Sequence, residues 1–238
     1  MKTANIEVTY IDHSGSDLSV VNAARVSFHK ESEWDGERNQ YGMLIDPRLS
    51  VADQRLIRYL ASHKHFSPFN HAFLSFRIKA PIFVARQLVK HKFLPWNEVS
   101  RRYVEDDIEI FMPKIWRKKA ENVKQGSSDE SVEVNPAYMT SISINTAIAE
   151  YERLLYLGVA PEQARMVLPQ NTMSEWIWSG TLGAFCDMLR LRLDPHTQYE
   201  SQIVAQKIYD EVIKLFPFST RALLDGVLST TEPLQLPK

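Results

Sequence analysis

Residues 85–103 read ARQLVKHKFLPWNEVSRRY. Arg86, Lys90, His91, Lys92, Arg101 and Arg102 stand here against a single acid, Glu98. The whole chain carries a formal net charge of −1, so the imbalance is local and points to a gripped anion, not a global field. The hydrogen-bonding groups repeat in two ways. On a helix entered at Pro81, Gln87, Lys90 and His91 fall at i, i+3 and i+4 and share one face. Pro95 then breaks the helix, and in an extended continuation Glu98, Ser100 and Arg102 point one way while Asn97, Val99, Arg101 and Tyr103 point the other. A carboxylate, a hydroxyl and a guanidinium along one edge suit a polar heterocycle with its phosphate. Spacing alone leaves a plainer reading open, a basic helix face in water beside a strand of ordinary alternation.

Upstream, Leu74, Phe76 and Ile78 alternate with Ser75, Arg77 and Lys79, the pattern of a half-buried strand. A first strand is expected over Asn5–Ile11, then a helix capped near Ser16, a polar loop from Glu31 to Pro47, a helix capped by Ser50 and a turn at Ser67-Pro68-Phe69-Asn70. Downstream, Asp107–Met112 reads as a short strand, and residues 118–134 (KKAENVKQGSSDESVEV) read as a mobile insertion within a single domain spanning 1–238. A long helix then runs from Asn135-Pro136 to Gly158, and a short one from Pro161 to Leu168. Trp176 and Trp178 flank a brief strand-like piece, and helices over Leu182–Leu191, His196–Leu215 and Thr220–Leu228 follow. The class expected is α+β, a helix-rich single domain with a small mixed or antiparallel sheet.

Composition narrows the function. At 238 residues the chain can bury roughly 70% of its unfolded surface in one enzyme-sized core. Its near-neutral charge offers no general attraction to nucleic acid or an anionic membrane, and no apolar run approaches a membrane span. The N-terminal MKTANIEVTYIDHSG lacks a basic segment followed by an apolar one, which implies a cytoplasmic protein. The lone cysteine, Cys186, excludes an internal disulfide and a Cys-rich zinc site. His63, His65 and His71, without matching cysteines or an HExxH helix, do not suggest a metal centre.

HFSPFNH (65–71), KAPIFVARQ (79–87) and KHKFLPWNEVSRRY (90–103) together resemble the signature region of the flavin-dependent thymidylate synthases. In that family the pattern is Arg-His-Arg, two residues, Ser, one residue, Asn-Glu, one residue, Ser, one residue, Arg. Collinear matches lie in DLSVVNAARVSF (17–28), ARMVLP (164–169) and LRLDPHTQYE (191–200), covering most of the chain outside the insertion.

The resemblance implies reductive methylation of dUMP, with methylenetetrahydrofolate giving the carbon, reduced FAD giving hydride and NADPH recharging the flavin, in a homotetramer with active sites at subunit junctions. It implies no protein nucleophile, which suits Cys186 among Phe185, Met188 and Leu189. By position, Gln87, Lys90, Glu98, Ser100, Arg101, Arg102, Arg165 and Arg192 would line the dUMP site, with Arg192 the catalytic choice because its counterpart stabilises the N3-deprotonated pyrimidine. Ser27, His65, Ser67, Lys90, His91, Lys92, Glu98, Thr181, Asp187 and His196 would serve the flavin. Three departures stand out: Lys90 and Lys92 replace arginines and lose the planar fork, Pro95 replaces the first serine, and Thr181 and Gly183 align where the family usually carries Asn and Arg. Alternatives left open are hydroxymethylation of dUMP or a related nucleotide, and a silent nucleotide-binding paralogue. A further one is a single-stranded nucleic-acid module using Lys90, Lys92, Arg101 and Arg102 with Phe93, Trp96 and Tyr103.

Overall fold

Alternation sets the centre of the molecule. In a computed structural model, which describes residues 1–103, 107–121 and 126–227, the chain begins with β1 (Lys2–Thr3), β2 (Glu7–Ser14), α1 (Asp17–Arg25), β3 (Asp35–Arg38), β4 (Leu44–Arg48), α2 (Val51–Ser62) and β5 (Phe73–Pro81). It continues through α3 (Ile82–Leu88), β6 (Trp96–Glu98), β7 (Glu109–Ile110), β8 (Arg117–Lys119), β9 (Ser127–Ser131), α4 (Ala137–Tyr156) and α5 (Pro161–Ala164). β10 (Met173–Thr181), α6 (Leu182–Arg192), α7 (Tyr199–Leu215) and α8 (Pro217–Leu223) complete it. The main sheet is antiparallel in the order β2-β5-β10-β6. The class is the expected α+β.

β10 runs nine residues, not a brief piece, because it is paired along its length with β5, from Met173↔Pro81 to Thr181↔Phe73. Leu74, Phe76, Ile78, Trp176 and Trp178 turn to one face and are buried there against α6 and α7 residues such as Phe185, Leu189, Val204 and Ile208. The opposite face is polar, carrying the Ser75–Ser179 hydrogen bond and the Arg77–Glu175 ion pair. The sheet therefore has one core side, and its free edge at β6 carries the motif.

Local signals set the helix starts. Ser16 accepts from Ser19 N in a capping box, and Ser50 accepts from Asp53 N at 3.1 Å. Pro81 is the residue before α3, one position earlier than expected. α4 stops where Gly158 takes a φ of +80°, with Val159 N donating back to Leu154 O at 3.0 Å. The last helix begins earlier than expected, at Pro217, since the buried Asp17 accepts from Phe218 N and Ser219 N and so caps it. The expected end at Leu228 lies outside the described residues.

Two segments that read as loops are hairpins. β3 and β4 pair across the segment expected as a loop, from Asp35↔Arg48 to Arg38↔Leu44, and Asn39 Oδ1 accepts from Tyr41 N and Met43 N and so closes the turn. β8 and β9 pair from Arg117, one residue before the expected insertion, into it, and residues 122–125 of that insertion lie outside the described ones. The strand expected over Asp107–Met112 shrinks to Glu109–Ile110, parallel to β1.

Candidate active site

β6 delivers Glu98 to the sheet edge opposite Trp176. Its carboxylate is held from two sides: Ser174 Oγ donates to Oε1 at 2.5 Å and Trp96 Nε1 to Oε2 at 3.0 Å, while the Trp96 ring stacks on Trp176 at 4.2 Å. The extended alternation expected beyond Glu98 ends there. The chain turns, with Tyr103 N donating to Ser100 O, and Arg102 folds back so that Nε donates to Ser100 Oγ at 3.1 Å. Ser100 and Arg102 still meet, through a turn instead of a strand edge. They open onto a cavity of about 1200 Å³ that also takes Glu98, Arg101, Arg165 and Arg86 into its wall. Arg165 reaches it from the single 3-10 turn after α5. In the same wall Thr172 is 1% exposed and its Oγ1 has no hydrogen-bond partner among the described residues.

α3 presents Ile82, Ala85 and Arg86 to that cavity, its C-cap Val89 joins them, and Gln87 is turned away from it. The helix ends at Leu88, so Lys90 and His91 lie past its last turn, and the expected single helical face is broken there. Gln87 meets α7 instead: its Nε2 donates to Gln198 Oε1, and Ser201 Oγ donates to its Oε1 at 3.2 Å. His91 meets α6, accepting on Nε2 from Arg192 Nε at 2.9 Å. Burial and the facing guanidinium push the His91 pKa down to about 4, so it is a neutral acceptor at neutral pH. The dUMP-assigned residues thus divide between a cavity holding Glu98, Ser100, Arg101, Arg102 and Arg165 and a corner outside it, where Gln87 meets Gln198 and Arg192 meets the flavin-assigned His91, with Lys90 exposed beside His91.

The flavin-assigned residues spread along α6. Thr181 caps it, accepting from Ala184 N and donating to Asn70 Oδ1 at 2.8 Å, which joins it to the turn Ser67–His71 that carries Ser67. The backbone of Phe93, next to Lys92, comes against Gly180. Lys90 and Lys92 are exposed and make no hydrogen bond or ion pair among the described residues. Asp187 is on the outward side of α6, with burial raising its pKa, and His196 follows the helix, paired with Asp194 at 3.0 Å. Ser27 and His65 are exposed, after α1 and α2 respectively. Cys186 is buried and its thiol is pushed far up by desolvation, which removes it from nucleophilic chemistry.

The family model described as "Thymidylate synthase complementing protein" matches residues 9–218. The chain belongs to this family. A flavin-dependent thymidylate synthase of Thermus thermophilus is 36% identical over 230 residues, covering 94% of this chain and 80% of the relative. One from Kosmotoga olearia is 37% identical over 198 residues, covering 82% of this chain and 80% of the relative. Among solved structures, the UMP/dUMP methylase PolB from Streptomyces cacaoi bound with 5-Br dUMP superposes with a TM-score of 0.78 at 31% identity, covering 93% of this chain and 96% of that one. The resemblance read from the motifs is therefore borne out at the level of family and fold.

As a member of the thymidylate synthase complementing protein family, this chain has a particular reason for glycine at 183. A Cβ there would lie 2.8 Å from Asn70 Oδ1, so any larger residue would have to displace the side-chain amide that accepts from Thr181. Pro95 keeps its carbonyl in the sheet, accepting from Ser179 N at 3.2 Å. Sequence reading did not assign Asn70, Ser174, Gln198, Glu200 or Arg117. Asn70, Gln198 and Glu200 lie within the matched motifs, so their position there was the available signal; Ser174 and Arg117 gave none. Among the described residues, no group of three or more His, Cys, Asp and Glu is placed to hold a metal ion, and no helix is long and apolar enough to cross a membrane.

Proposed function

We propose that this protein is an FAD-dependent thymidylate synthase that methylates dUMP with methylenetetrahydrofolate and NADPH. The observation that carries the reading is the cavity in which a doubly held Glu98 faces Ser100 and the guanidinium-bearing Arg101, Arg102 and Arg165. Guanidinium groups suit a nucleotide phosphate because their fork donates two parallel charge-assisted hydrogen bonds. Arg192 uses only Nε on His91, and its two amino groups have no other partner among the described residues. They are the donors for a pyrimidine anion formed by loss of the N3 proton, and burial of Arg192 strengthens that attraction.

The residues present fit a flavin. Two lysines without a partner among the described residues and the hydroxyl of Ser67 offer donors to an anionic dinucleotide, Thr181, whose proton goes to Asn70, offers an acceptor, and the exposed Phe93 beside Gly180 offers a face to an aromatic ring system. Lys90, Lys92, His65, Ser67, Thr181 and His196 would hold it. When bound, reduced FAD supplies the hydride and NADPH restores it.

A homotetramer with sites at subunit junctions accounts for the division of the dUMP set between cavity and corner, since a second copy can supply one half. The 20-residue α4 agrees with this: it buries only Ile144 and Tyr151 and exposes Tyr138, Met139, Ile142 and Tyr156. The same reading places the enzyme in the cytoplasm, without nucleic-acid or membrane partners.

The test is incubation with methylenetetrahydrofolate, NADPH, FAD and either dUMP or UMP, followed by the mass of the nucleotide product. Thymidylate from dUMP is the expected result. A hydroxymethyl product, or methylation of UMP alone, redirects the substrate or chemistry, and unchanged nucleotides with flavin bound overturn the proposal.

A further inference from the structure

We propose that Arg117, on the β8–β9 hairpin, is a positioning residue that fixes which way the Gln87 amide points; this rests on the proposed role of Gln87 as a nucleotide contact. The hairpin is seated on the loop before α7: Gly126 has a φ of +92°, and a Cβ there would lie 2.8 Å from His196 O, so glycine alone permits the approach. From the hairpin Arg117 donates Nε to Ser127 Oγ at 2.6 Å, lies 4.4 Å over the Tyr199 ring, and pairs through Nη2 with Glu200 Oε1 at 2.8 Å. Glu200 is 6% exposed. An ionised carboxylate so buried needs its cation.

Direction follows from valence. Glu200 only accepts, so the group that Gln198 turns to its Oε2, 3.1 Å away, must be the amide nitrogen. The Gln198 oxygen then faces Gln87, which must answer with its own nitrogen, and the Gln87 oxygen is left to accept from Ser201 Oγ. Gln202 Nε2 donates to Pro195 O and Thr197 O, pinning the loop that carries Gln198. One charge at Arg117 thus sets the polarity of an amide three side chains away. The second hydrogen of Gln87 Nε2 and the second lone pair of Oε1 stay in defined places for a ligand.

The test compares the flavin-loaded enzyme with Arg117→Ala, Arg117→Lys, Glu200→Gln and Gln87→Ala, reading the dUMP dissociation constant by calorimetry and KM against kcat. Glu200→Gln is isosteric and keeps an acceptor for Arg117, but it can also donate, so the amide chain is free to reverse. Arg117→Ala and Glu200→Gln should each weaken dUMP about tenfold, the scale of one misplaced polar contact, with kcat nearly unchanged. The double variant should be no weaker than either single one, and Arg117→Lys should recover part of the loss. Lowered thermal midpoints with wild-type dUMP affinity in both variants would overturn the relay. If Gln87→Ala still weakens dUMP in that case, the nucleotide reading stands without it. Unchanged affinity in Gln87→Ala removes Gln87 from the nucleotide site and the proposal with it.

Discussion

Arg192 donates its Nε proton to His91 Nε2 across 2.9 Å, a bond that requires His91 to be neutral and to carry its own proton on Nδ1. The imidazole, flanked by Trp178 at a ring distance of 6.4 Å, fixes one edge of a half-buried guanidinium. The family histidine between two basic residues therefore acts in this chain as the seat of the proposed catalytic arginine.

Acid should unseat it. His91 titrates near 6.5 when unfolded and at about 4 when folded. Between those values the unfolded chain binds a proton that the folded chain refuses, so stability falls as the pH is lowered through that window. His91→Gln keeps a neutral acceptor but removes the titration. Urea midpoints at about pH 7 and about pH 5 should therefore drop further for the wild type than for the variant, and equal drops would assign the acid sensitivity elsewhere.

Glu98 is poised by Ser174 and Trp96, and both donors can be removed without touching the carboxylate. Ser174→Ala takes away a 2.5 Å charge-assisted bond, and Trp96→Phe takes away the indole N–H but leaves a ring over Trp176. Each change should raise KM for dUMP about three- to tenfold, as expected for one lost hydrogen bond to a charged group near the surface. Steady-state kinetics on both variants check this; wild-type KM in both would mean that Glu98 needs no such support.

Burial of Cys186 makes its replacement a test of chemistry. Cys186→Ala should keep thymidylate formation within about twofold and cost about 1 kcal/mol of stability, the central value for a small truncation in a core. Product assays and denaturant unfolding separate the two effects. A folded but inactive variant would restore a thiol nucleophile to the mechanism.

What the sequence revealed was local or modular. Ser16 and Ser50 sit within a turn of the amides they cap, and the alternation from Leu74 to Lys79 announces its own buried face, so these elements were legible. The length of β10 was not, because Ser174, Ile177 and Ser179 look unremarkable until β5 pairs with them. The strands β8 and β9 carry only polar residues, and a partner that seats them is Glu200, 83 residues from Arg117. The motif named Glu98 but not Ser174, which lies 76 residues away. Long-range partners are chosen by the folded topology, and no periodicity encodes them.

Gly180 shows how closely the motif loop must approach the sheet. A Cβ at this position would overlap Leu94 Cδ2 and stand 3.0 Å from Phe93 O. Leu94 is buried and Phe93 turns the chain at a φ of +62°, so the segment from Lys92 to Leu94 has little freedom to withdraw. Gly180→Ala should therefore destabilise the fold by about 1–3 kcal/mol, the usual range for overpacking. The displaced segment carries Lys92, so flavin affinity should fall further than dUMP affinity, whose cavity residues Ser100, Arg102 and Arg165 lie beyond β6. Flavin release on dilution and dUMP calorimetry distinguish the two, and equal losses would mean that Lys92 and its neighbours serve both ligands alike.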